Sequence, residues 1–83
     1  MKLDIQLFGP LADLLGQRRL HLELQEEHGM CARRVLQHIA ELHPRLAPAL
    51  GAFRLAVNCE LAQPDDVVSA TDELALIGMV SGG

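Results

Sequence analysis

The residues with the clearest chemical potential are the last ones, Val80-Ser81-Gly82-Gly83. Neither glycine has a side chain, so what this segment presents is its own α-carboxylate. Without a Cβ the pair can pass a constriction and adopt backbone angles closed to other residues. Four extended residues reach at most about 13–14 Å, the depth of a buried channel into another protein. A terminal carboxyl with a pKa of about 3.3–3.7 is ionised at neutral pH and resists nucleophilic attack until it is activated. Transfer to the α-phosphate of ATP would give an acyl-adenylate, from which a sulfur nucleophile can displace AMP to leave a thiocarboxylate. A frayed terminus is the alternative. At average glycine usage, however, a terminal pair arises by chance in roughly one chain in two hundred, and here it directly follows an apolar, strand-like run.

The remaining titratable residues form no recognisable site. His21, His28, His38 and His43 lack metal-ligand spacing, since His38 and His43 are five apart and lie on different helix faces. Glu26-Glu27 and Asp65-Asp66 read as solvated loop carboxylates. Cys31 and Cys59 have neither C-x-x-C nor zinc spacing and read as reduced packing cysteines. A stand-alone enzyme is therefore not expected. The net charge is −4 and the seven basic residues are scattered, which argues against nucleic acid as a partner. No run approaches 18 apolar residues and Met1-Lys2-Leu3-Asp4 carries no signal-peptide segment, so no membrane association and a cytoplasmic location are expected.

What must position the tail is a single small domain. The chain has 83 residues, 49% of them hydrophobic, and only Phe8 and Phe53 are aromatic. A core this small leaves little room for an enclosed cleft. Lys2 to Phe8 alternates with Leu3, Ile5 and Leu7 inward, which predicts a strand. Gly9-Pro10 ends it, and a short helix with Leu11, Leu14 and Leu15 on one side runs to a left-handed cap at Gly16. Leu20, Leu22 and Leu24 predict a second strand. The main helix is expected over Met30 to Leu42, with Ala32, Val35, Leu36, Ile39 and Leu42 on its apolar face, and Pro44 breaks it. A helical turn over Arg45 to Leu50 closes at Gly51. A strand follows over Arg54 to Asn58 with Leu55 and Val57 inward, then a tight connection at Cys59-Glu60 into a minor edge strand, Leu61-Ala62. Gln63 to Thr71 is polar and turn-rich, and Asp72 to Met79 is the last strand. One main helix needs a sheet to cover its apolar stripe, which predicts an α+β domain with a mixed four- to five-stranded sheet.

The last strand is apolar on both faces, with Leu74 and Leu76 on one and Ala75, Ile77 and Met79 on the other. Only one face can meet the helix. Either Phe8, Ala56, Ile77 and Met79 form an exposed apolar patch that marks a partner surface, or loops cover them.

The segment Leu55-Ala56-Val57-Asn58, the run Asp72-Glu73-Leu74-Ala75 and the ending Val80-Ser81-Gly82-Gly83 resemble the small subunit of molybdopterin synthase, and the likeness extends over essentially the whole chain. The resemblance implies a β-grasp, ubiquitin-like domain over residues 1–79 and a functional tail over 80–83. It implies that Gly83 carries the adenylate and then the thiocarboxylate, while Gly82 gives a slim approach. Phe8, Ile77, Met79, Val80 and Ser81 would meet the partner. The partners implied are a ubiquitin-activating-like adenylyltransferase that uses ATP and the large synthase subunit, in a heterotetramer. There the sulfur would pass to cyclic pyranopterin monophosphate to build the molybdopterin dithiolene. The chain itself would bind no cofactor and would not be catalytic alone. Thr71, where the family often has glycine, and Gly78-Met79, where it often has prolines, depart from the pattern. A thiamine-pathway or other ubiquitin-like sulfur carrier shares the same features, and a non-catalytic ubiquitin-like interaction module is the alternative of a different class.

Overall fold

The computed structural model describes residues 1–78. Met79, Val80, Ser81, Gly82 and Gly83, and with them the expected tail, lie outside the described residues. The elements in order are strand β1 (Lys2–Leu7), helix α1 (Gly9–Leu15), strands β2 (Arg19–Glu23) and β3 (Met30–Cys31), helix α2 (Ala32–Leu42), a 3-10 turn (Leu50–Ala52), and strands β4 (Phe53–Val57), β5 (Glu60–Leu61), β6 (Val67–Val68) and β7 (Leu74–Gly78).

Five strands form a mixed sheet in the order β2-β1-β7-β4-β5, while β3 and β6 form a separate two-stranded ribbon. The central pair, β1 and β7, is parallel with Ile5 opposite Leu74 and Leu7 opposite Leu76. The other pairings in the sheet are antiparallel. Because side chains alternate along a strand, one face of the sheet collects Leu3, Ile5, Leu7, Leu20, Leu22, Leu55, Leu74 and Leu76, all buried. Ala32, Val35 and Ile39 of α2, with Leu11, Leu46 and Leu50, close over that face. Among the described residues no polar or charged side chain is buried. This is the β-grasp, ubiquitin-like arrangement that the resemblance implies.

Several boundaries differ from the sequence-based expectation, each for a local reason. Met30-Cys31 is a strand and not the first turn of α2, because it pairs with Val67-Val68 inside the stretch expected to be turns only. No side chain caps α2. Its first donors, the N–H groups of Ala32 and Arg33, reach instead the carbonyls of Asp66 and Pro64 at 2.8 and 3.0 Å, so the same loop fixes where the helix begins. Gly29 turns the chain into this ribbon at φ 97°, and a Cβ there would meet Val67 Cγ1 at 2.8 Å and the Val68 carbonyl oxygen at 3.0 Å, so only glycine fits.

The hairpin turn is Asn58-Cys59, one residue earlier than expected, so β5 is Glu60-Leu61 and Ala62 lies beyond it. Both turn residues have positive φ, 52° and 70°, the requirement of the tight hairpin turn usually met with glycine. β1 stops at Leu7, and Phe8 becomes the extended residue that precedes α1. Gly16 is the left-handed cap expected of it. Gly51 lies within the 3-10 turn and does not close it. Leu14 and Leu42, expected on buried faces, are exposed. β7 begins at Leu74 because Asp72 is engaged in a turn, its carboxylate accepting the Ser69 N–H at 2.8 Å.

Candidate functional site

The face of the sheet opposite α2 carries the side chains that the core does not use. Its side chains come from the even residues of β1, the odd residues of β7, and Ala56 and Leu61, which lie opposite each other on β4 and β5. Phe8, Ala56, Leu61, Ala75 and Ile77 line one apolar concavity of about 410 Å³, with Gln6, Cys59 and Glu73 also on its wall. Phe8 is 52% exposed and Leu61 42%, whereas Ala75 and Ile77 are half-buried. Of the exposed patch expected from sequence, Phe8, Ala56 and Ile77 line this one concavity, but among the described residues only Phe8 is well exposed, Ile77 is half-buried and Ala56 is buried. Met79 lies outside the described residues, as do Val80, Ser81, Gly82 and Gly83.

Sequence reading did not place Leu61 on this surface, since its face depends on the Ala56–Leu61 register. Phe8 and Leu61 are the exposed large apolar side chains around this depression, a grouping of the kind that protein surfaces use for contact with other molecules. A second concavity, of about 420 Å³, lies on the helix side between α2 and β4, lined by Leu36, Ala40, Leu50 and Phe53. The described residues that line it are apolar apart from Arg33, Gln37 and Arg54.

The start of β7 is held by a polar bracket whose residues the sequence motif contains without showing their work. Asn58 donates its backbone N–H to the Glu73 carbonyl at 2.8 Å, and its Oδ1 accepts the Glu73 N–H at 2.9 Å. Its Nδ2 donates to Asp72 Oδ1 at 3.0 Å. The side chain of Asn58 thus continues the β4–β7 ladder past the point where the backbone turns away. Asp72 in turn accepts the Ser69 N–H at 2.8 Å and the Ser69 hydroxyl at 3.3 Å. These bonds, the Ser69 backbone bond first and the Asn58 amide next, hold the Asp72 carboxyl below its usual value against a small opposing effect of burial. Thr71 keeps an ordinary negative φ, so the turn before Asp72 needs no glycine.

At the other end of β7, Gly78 pairs with Phe53, and the Phe53 ring lies where a side chain on Gly78 would stand, 3.1 Å from an ideal Cβ. The ring covers the last described residue of the strand on its helix side. Among the described residues no group of three or more histidine, cysteine or acidic side chains could hold a metal ion, and no helix is long and apolar enough to cross a membrane. Cys31 and Cys59 are both free thiols.

Comparison with known proteins agrees with this geometry. The chain is similar to SAMP1 of Haloferax volcanii, with 25% identity, all of both chains covered and a TM-score of 0.81. A putative molybdopterin converting factor subunit 1 from Pyrococcus furiosus matches at 18% identity over 96% of this chain and 99% of that one, with a TM-score of 0.79. A chain from the complex of subunits 1 and 2 of the molybdopterin-converting factor of Helicobacter pylori matches at 20% identity over the whole of both chains, with a TM-score of 0.64. No curated protein sequence gives a match. The ThiS family model matches residues 5–83, which include all of the described sheet but the first three residues of β1, the bracket at Asn58 and the terminal glycine pair. The chain belongs to the ThiS family, ubiquitin-like proteins of the sulfur-carrier class.

Proposed function

We propose that this protein is the sulfur-donating subunit of a molybdopterin synthase. The observation that carries the reading is the family match that runs through Gly83, on a chain whose sheet has an apolar concavity beside its last described strand. In this reading residues 1–79 are the docking domain and 80–83 the working tail. The Gly83 carboxylate attacks the α-phosphate of ATP held by a ubiquitin-activating-like adenylyltransferase, pyrophosphate leaves, and the acyl-adenylate forms. A sulfur nucleophile displaces AMP to give the thiocarboxylate. The domain then docks through Phe8 and Ile77 on a large subunit, in a heterotetramer, with Met79, Val80 and Ser81 in its entrance and Gly82 in its narrowest part. Sulfur passes there to cyclic pyranopterin monophosphate. The domain supplies reach and orientation, and the acid–base groups for the transfer belong to the large subunit. ATP is bound by the activating enzyme and this chain holds no cofactor. The Helicobacter pylori complex of subunits 1 and 2 supports a large-subunit partner of this kind.

A second reading draws on the Haloferax volcanii protein, whose full name is small archaeal modifier protein 1 and whose similarity is higher than that of the Helicobacter pylori chain. A modifier would pass the activated carboxylate to an amine of another protein. Co-expression with an activating enzyme and a sulfur source, followed by intact-mass measurement, tests the carrier step: exchange of oxygen for sulfur adds about 16 Da. Loaded protein mixed with a large subunit and cyclic pyranopterin monophosphate should then yield molybdopterin, and deletion of Gly83 should abolish both results. Absence of the mass gain, or Gly83-dependent isopeptide adducts in place of molybdopterin, would overturn the synthase reading.

A further inference from the structure

We infer that β2 is a self-association edge, on which a second copy of this chain adds its own β2 in antiparallel fashion. Among the described residues β2 lies at one end of the sheet and pairs only with β1. The direction in which its backbone groups point follows from the bonds at the ends of that pairing. Met1 and Leu24 exchange hydrogen bonds at 2.6 and 2.8 Å, and Leu7 N–H donates to Arg18 at 2.8 Å. Hydrogen-bonded pairs alternate along an antiparallel ladder, so Leu20 and Leu22 face β1 with their backbone groups. The N–H and C=O groups of Arg19, His21 and Glu23 therefore point to the free edge.

The sequence of this edge, Arg19-Leu20-His21-Leu22-Glu23, is complementary to itself when reversed. With the two-fold axis at His21, Arg19 of each copy stands opposite Glu23 of the other, and His21 stands opposite His21. All three of these pairs are ones whose backbone groups face each other, so about six ladder hydrogen bonds form. Leu20 then stands opposite Leu22 on the helix side and continues both cores. A slip of two residues keeps the backbone match but sets Arg19 opposite His21 or Gln25, and no Arg–Glu pair remains. A slip of one residue puts leucines on the charged face.

The surrounding charges fit the same arrangement. On the outer face Lys2 is opposite Glu23, Asp4 opposite His21 and Gln6 opposite Arg19. Arg19 already binds Asp4 at 2.9 Å, and its fork of donors has room for a second carboxylate from Glu23 of the other copy. His21 Nδ1 is 3.7 Å from Asp4 Oδ1. Arg19 and His21 are mostly exposed, so forming the pairs does not require disassembly of any packed contact. Charged side chains on a sheet edge ordinarily prevent such pairing. Here the same charges attract when the partner is an identical strand running the other way.

An edge of five residues buries a small interface, so the dimer is weak and concentration-dependent. Sedimentation equilibrium of the full chain from about 10 μM to 2 mM should show a reversible monomer–dimer equilibrium, with amide shifts on dilution confined to β2 and its flanks. Arg19→Glu and Glu23→Arg should each weaken the dimer about tenfold or more, because two attractive pairs become repulsive. An equimolar mixture of the two variants should associate at least as well as the parent, since every pair is then of opposite sign. His21→Pro removes an N–H that only the free edge uses, and should leave a folded monomer. A chain that stays monomeric throughout this range, single variants that dimerise like the parent, or a mixture that fails to recover association would each overturn the inference.

Discussion

Replacing Asn58 by alanine should destabilise the domain by about 2–3 kcal/mol, because two bonds and a backbone preference are lost at one residue. The Oδ1 bond to the Glu73 N–H and the Nδ2 bond to Asp72 are 2.9 and 3.0 Å long. Each contributes about 0.5–1.5 kcal/mol net, and exposure keeps the carboxylate bond toward the low end despite its charge. Asn58 also holds φ 52°, a conformation asparagine tolerates and alanine adopts at a cost of about 1 kcal/mol or more. At roughly 4–8 °C per kcal/mol for a domain of this size, the melting temperature should fall by about 10–20 °C. Asn58→Gly separates the contributions: it loses both bonds but meets the positive φ freely, so it should fall short of the alanine loss by about 1 kcal/mol. Calorimetry and urea unfolding of the three proteins would measure this. An alanine variant within about 0.5 kcal/mol of the parent would refute the claim that this side chain extends the β4–β7 ladder.

Three further perturbations follow from the local geometry. Gly29→Ala should cost about 2 kcal/mol in urea unfolding, because φ 97° disfavours any Cβ and the Val68 carbonyl blocks the space. Cys59→Gly should stabilise by about 0.5–1 kcal/mol, since relief at φ 70° exceeds the added freedom of the unfolded chain, and the melting temperature reports it. The Asp72 carboxyl is held low by Ser69 and Asn58 in the folded state, so its contribution is complete above the unfolded pKa and is lost as pH falls through the folded one. Stability should therefore decline on acidification below about pH 4, and Asp72→Asn should flatten that part of the urea-unfolding profile.

The parts of this fold legible in the sequence are those where one element buries one face along its whole length. Leu3, Ile5 and Leu7 alternate without interruption, as do Leu20, Leu22 and Leu24, and all six are buried. The β3–β6 ribbon was invisible because each strand is two residues long and carries no period. Met30 extends the apolar spacing of α2 toward its N-terminus, and Val67-Val68 sits among turn residues. The hairpin turn was displaced because its positive-φ positions hold Asn58 and Cys59 in place of the glycine that normally marks such a turn. At the candidate site, parity along β1 and β7 was enough to bring Phe8 and Ile77 to one face. Leu61 needed a register, which no local pattern encodes. The motif residues Asn58 and Asp72 were likewise quotable before their reason was visible, since the bond between them joins positions far apart in sequence.

The outer face of the sheet is divided along the strand order, and this has a consequence for how the two surfaces act. Its β2 and β1 side carries Arg19, His21, Glu23, Lys2 and Asp4, while its β7, β4 and β5 side carries Ile77, Ala75, Ala56 and Leu61. Neighbouring strands are about 4.8 Å apart, so the β2 edge lies about 10 Å from β7 and roughly 19 Å from β5. A second copy at the β2 edge would extend the sheet away from the apolar concavity, so self-association and large-subunit docking should be independent. Ile77→Asp, at a half-buried outward position, should weaken binding to a large subunit about tenfold or more while the dimer constant stays unchanged. Arg19→Glu should do the reverse. Calorimetric titration for the first equilibrium and sedimentation for the second would measure both. If Ile77→Asp abolished the dimer, or saturating large subunit dissociated it, the two surfaces would be one, and the assignment of the charged edge to self-association would fail.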